Sequence, residues 1–142
     1  QDPEYSAELR RVRKRAGPLA DRIHLVGAVP YEEITRYYAE SALFVFPSYL
    51  ETFGHPLLEA LAAGVPVVAA DIPVFREIAA ESALYVDPFD SSAMATAMEQ
   101  ALTDRALADE LVSAGQRRLE LFTWQLAAQR LAALLSDVVD EY

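Results

Sequence analysis

The 142 residues contain no cysteine and only two histidines. A disulfide framework and a thiolate-ligated metal are therefore excluded, and a zinc site lacks its usual ligands. No apolar run exceeds about seven residues, far short of the ~20 that span a bilayer, and no signal-peptide pattern opens the chain. These absences fit a reducing, cytoplasmic setting without a transmembrane segment. Basic residues are also scarce, 12 against 22 acidic, and the net charge of -10 speaks against general nucleic-acid binding. Five of the twelve positive charges crowd into RRVRKR, Arg10 to Arg15. That run has no interleaved aromatics and reads as a solvated helix face.

What remains is a chain that is 53% hydrophobic, enough to bury the core of one domain. Helical spacing runs from Glu4 to about Ala16 and is closed by Gly17-Pro18. RIHLVG, Arg22 to Gly27, alternates as a strand does, and a helix follows from Tyr31 to near Ser41. Apolar runs of strand length occur at Ala42 to Pro47, Val65 to Ala70 and Ser82 to Asp87. Between them lie a short helix from Pro56 to Ala63 and one or two helical turns in VFREIAA. Three helices close the chain: Ser91 to about Leu102, with Ser91 as its cap, Arg105 to about Phe122, and Thr123 to the end. Trp124 and Phe122 are expected to anchor the last of these. Strands that are nearly unbroken apolar runs, alternating with helices, predict an α/β fold: a Rossmann-like parallel sheet covered on both faces. Four strands are few for such a sheet, and it opens on a helix, so further N-terminal strands are expected.

In open parallel sheets ligands sit beyond the carboxyl ends of the strands, where loops lead into helix starts. The stretch PSYLETFGH occupies that place. The amides of Gly54, His55 and Leu57 are expected to point outward there, at the positive end of a helix dipole. Glu59, one turn into the helix, leans back toward the mouth that Glu51 reaches from the loop. Two acids suit an anion only if they grip something else, and a carboxylate can take two hydrogen bonds from a vicinal diol. An anion flanked by polyhydroxylated groups is a nucleotide-sugar. The plainer alternative is an exposed loop acid and an acid complementing a helix dipole.

The run FPSYLETFGHPLLEALAAGVPVVAADIPVFREI resembles the signature of the retaining, GT-B-fold glycosyltransferases of the family 4 type. The likeness takes in both acids of the Glu-x7-Glu motif, Glu51 and Glu59, the Phe53-Gly54 pair, and Glu77. It extends to DRIHLVGAVPYEEITRYY, YVDPFD and FTW, so that residues 1–142 are expected to form one C-terminal, donor-binding domain, half of a GT-B fold. The resemblance implies that Glu59 holds the ribose hydroxyls and that Glu51 contacts the donor sugar near the reacting carbon, as the catalytic residue of the site. It implies that Phe53, Gly54 and His55 lend amides to sugar and diphosphate, and that Val26, Gly27 and Val29 line the base. No cofactor and no obligatory metal are implied beyond a UDP- or GDP-linked co-substrate.

The resemblance also implies partners: a nucleotide-sugar donor, and an acceptor hydroxyl on a sugar, lipid or other compound bound by an N-terminal domain. That domain, the family's opening strand and its Arg/Lys pair for the diphosphate are not in this sequence. This chain alone is therefore expected to be an inactive transferase half. The helix from about 123 is expected to pack on the partner domain, through which the enzyme could sit at the inner membrane. His55 replaces an aliphatic residue usual at its position. Two other classes compete. A retaining glycoside hydrolase would use the same acids ~5 Å apart and need no nucleotide. A non-catalytic binding module of the same fold is the other; its phosphoacceptor form needs a lysine after a late strand, and the only lysine, Lys14, is in the first helix.

Overall fold

The computed structural model of the protein describes residues 3–140. They form two compact units, one up to Glu33 and one from Ile34 onward. The first holds α1 (Pro3–Arg15) and a short 3-10 helix (Gly17–Arg22), tied together by the Arg13 guanidinium, which donates to the Ala20 carbonyl at 2.9 Å. Residues 23–30 are irregular, so the strand expected at RIHLVG is not formed. A strand is stabilised by ladder bonds to a neighbour, and this segment pairs with none among the described residues; Ile23, Leu25 and Val26 stay exposed. Among the described residues the sheet therefore has three strands, not four.

After α2 (Tyr31–Ala39), the elements alternate. They are β1 (Phe44–Phe46), α3 (His55–Ala62), β2 (Val67–Ala70), α4 (Pro73–Ala79), β3 (Leu84–Val86), α5 (Ser91–Thr103), α6 (Arg105–Leu119) and α7 (Trp124–Asp140). The strands are parallel in the order β1-β2-β3, with Val45 opposite Val68 and Ala69 opposite Tyr85. β2 is central and wholly buried because helices cover both faces. Val67 and Ala69 face Leu57, Ala60 and Leu61 of α3 and Phe75 and Ile78 of α4. Val68, pointing the other way, packs on Ala97 and Ala101 of α5.

Helix ends follow side-chain chemistry. The cap of α5 is Asp90, not Ser91: its carboxylate accepts from the amides of Ser92 and Ala93 at 3.0 and 2.9 Å. A carboxylate also complements the helix dipole, which a hydroxyl does not. Arg118 on α6 donates to the carbonyl of Ile78 at 2.8 Å and to that of Glu77, satisfying the carboxyl end of α4. The main-chain role of Glu77 is thus structural. Gly115 lets α6 lie close on α3, since a Cβ there would meet Leu61 Cδ2 at 2.9 Å. Of the two expected anchors for α7, only Phe122 serves: it packs on the core, while Trp124 is 93% exposed.

Candidate functional site

The loop from β1 to α3 emerges at the carboxyl end of β1, beneath which aromatic rings are stacked. Tyr38 meets Phe44 edge-on at 5.3 Å, Phe44 meets Phe46 at 5.6 Å, and Phe46 meets Phe75 at 4.8 Å. Gly54 rests on the last of these. It caps α3 with φ 86° and ψ 52°, and a Cβ would lie 2.9 Å from Phe75 Cε1. Both the left-handed backbone and the ring beneath it exclude a side chain.

α3 starts at His55, one residue earlier than its proline suggests, with Pro56 second. Leu57 is buried and its amide donates to the Gly54 carbonyl at 2.9 Å, so it is not the outward donor expected. The amides of Gly54 and His55 have no protein acceptor among the described residues. Gly54 is buried, whereas His55 is exposed. The Phe53 ring, also exposed, lies 4.8 Å from the His55 imidazole and edge-on to Phe122 at 6.3 Å.

Glu59 is half-buried and accepts a hydrogen bond from the Tyr38 hydroxyl at 3.0 Å. Burial raises the Tyr38 pKa above the ordinary phenol value, and the hydrogen bond and charge of Glu59 raise it further. Tyr38 thus stays a donor, fixing one side of the carboxylate and leaving its other lone pairs available. Sequence reasoning missed this residue. Tyr37 and Tyr38 sit side by side on a helix stripe, and only the fold tells which one turns toward α3. Glu51, half-buried in the loop, has no hydrogen-bond partner among the described residues. Phe53, Gly54, His55 and Glu59 therefore gather at the start of α3, with Glu51 three residues ahead of Gly54. Gly27, with φ 78°, and Val29 belong to the first unit.

Beside the loop an apolar groove of about 450 Å³ is lined by Phe53, His55, Leu58, Phe122, Trp124 and Arg130. No helix among the described residues is long and apolar enough to cross a membrane.

A parallel α/β sheet covered by helices on both faces, with a glycine-capped helix start at its carboxyl edge, belongs to the Rossmann-like class, in which ligands sit at that edge. The model of the family described as Glycosyl transferases group 1 matches residues 5–118; the chain belongs to that family. It is 34% identical over 103 residues to the O-antigen chain mannosyltransferase B of Escherichia coli, covering 72% of this chain and 27% of that protein. The solved sucrose-phosphate synthase from Thermosynechococcus elongatus superposes with a TM-score of 0.81 at 33% identity, covering 100% of this chain and 37% of that one. The C-terminal domain of a glycosyl transferase group 1 family protein from Francisella tularensis superposes with a TM-score of 0.73 at 28% identity, covering 84% and 62%. The chain thus spans about a quarter of the curated relative's length. The expectation of half a GT-B fold agrees with these likenesses. The hydrolase alternative is not favoured, since these relatives are transferases and a synthase.

Proposed function

We propose that this chain is the donor-binding half of a family 4 type retaining glycosyltransferase, which moves a sugar from a nucleotide diphosphate to an acceptor hydroxyl. The observation that carries the reading is the start of α3. Among the described residues no protein group accepts from the amide of Gly54 or from the next one, that of His55. Free N-H groups at a helix start are met by water or by a bound ligand, so this turn can receive an acceptor from outside the protein. The helix dipole favours an anionic one.

Within this reading the diphosphate rests on Gly54 and His55, Glu59 accepts from the ribose hydroxyls, and Glu51 and Phe53 attend the sugar. Val26, Gly27 and Val29 line the base. When the glycosidic bond breaks, charge grows on the departing diphosphate, where preoriented N-H donors stabilise it without a metal. A further domain holds the acceptor, whether sugar, lipid or another hydroxyl compound. That domain covers the stripe on α7 made by Trp124, Leu131, Leu134, Leu135 and Val138, all exposed and spaced to share one helix face. The enzyme works in the cytoplasm, at the inner membrane where its acceptor is a lipid.

Calorimetric titration with UDP and with GDP, in the presence and absence of EDTA, tests the site. Weak binding of one nucleotide, unchanged by EDTA, is expected. No heat with either nucleotide would remove the donor site.

A further inference from the structure

Two exposed aromatic rings meet at the carboxyl edge of the sheet, outside the residues assigned above. Tyr49, two residues before Glu51, follows β1, and Phe89 follows β3. Their ring centroids are 5.6 Å apart with planes tilted by 38°. Tyr49 is 67% and Phe89 80% exposed. The pair is not a loop tip left loose. The Asp87 carboxylate accepts from the Phe89 amide at 2.9 Å, the Asp90 amide donates to the Asp87 carbonyl at 3.0 Å, and Asp90 caps α5. On the other side the Ser48 hydroxyl donates to the Leu50 carbonyl at 3.2 Å. Rings exposed in this way contribute little to the core, since neither is among the residues packed on it.

The size of the patch decides between occupants. Two rings at these exposures present roughly 300 Å², well below the ~800 Å² per side of a stable protein interface. It is the scale of one sugar ring, whose axial C-H groups pack on aromatic faces. Asp87 and Asp90 each spend one carboxylate oxygen on the turn, which leaves the other to accept from sugar hydroxyls.

We infer that Tyr49 and Phe89 form a platform for a hexopyranose ring of the carbohydrate substrate, a second saccharide subsite beside the donor site. This deepens the proposed function and rests on it. The test is an NMR titration of the full chain with methyl α-D-mannopyranoside and a short mannose oligosaccharide, and separately with UDP and GDP. Saccharide is expected to shift the Tyr49 and Phe89 ring signals saturably. Phe89→Ala should weaken that response about tenfold, with Phe89→Trp restoring it. Both substitutions are at an exposed ring, and the nucleotide response at the amides of residues 54 and 55 should be unchanged in them. Rings that ignore saccharide, or that respond to nucleotide in its place, would overturn the platform while leaving the donor site intact. Ring shifts with saccharide but no amide response to either nucleotide would leave the platform standing and overturn the donor site.

Discussion

At the residue scale the site depends on Gly54 and Tyr38. Gly54→Ala places a methyl group on Phe75 at a backbone angle that disfavours any side chain. We expect a loss of about 2 to 4 kcal/mol, read as a lower midpoint in urea unfolding. Tyr38→Phe keeps the ring on Phe44 and removes only the bond to Glu59. Stability should change by about 1 kcal/mol or less, whereas nucleotide affinity should fall about three- to tenfold as the carboxylate loses its fixed orientation. An equal affinity in the two proteins would show that Glu59 needs no positioning. That Gly54 precedes a helix start and that Glu59 lies one turn inside it were legible in the sequence, because proline and glycine mark the ends of that helix. Tyr38 was not, because its partner lies 21 residues away and the contact exists only once α2 lies beside α3.

At the element scale the three central strands and the helices between them follow from apolar runs bounded by turns, and these were readable. The failures have one cause. RIHLVG has the alternation of a strand, but alternation records only which side chains could be buried, and a strand forms where a neighbour supplies ladder bonds. Trp124 was misplaced for the same reason: a large ring predicts burial without naming what buries it. The link between α4 and β3 carries two further expectations. Ala80 ends α4 at φ 47° and ψ -119°, strained for any residue with a Cβ. Ala80→Gly should therefore raise stability by about 1 kcal/mol, measured as an increase in Tm. The Tyr85 hydroxyl donates to the carbonyls of Ala80 and Phe75 at 2.6 and 3.2 Å, and burial raises its pKa from 10.0 to about 12. A raised folded-state pKa means that the folded chain holds the proton more tightly. The stabilisation is complete below pH 10 and is lost as the pH rises toward about 12. Tyr85→Phe should cost about 1 kcal/mol at neutral pH and flatten that alkaline loss; an unchanged alkaline limb would assign it to other groups.

At the scale of the whole molecule, a chain of net charge -10 is proposed to bind a polyanion. The long-range field opposes this, so recognition has to be local: two amides, a helix end, and acids that meet hydroxyls and not phosphate. Ribose recognition by Glu59 is open to direct test. The measurement is the calorimetric affinity of the chain, and of its Glu59→Gln variant, for UDP or GDP and for the analogue lacking both ribose hydroxyls. We predict that the analogue binds the parent chain at least about tenfold more weakly, since each hydrogen bond to a charged acceptor contributes about 1.5 to 3 kcal/mol, and that the variant hardly distinguishes the two ligands. Equal affinity of the parent chain for nucleotide and analogue would show that Glu59 does not hold the ribose.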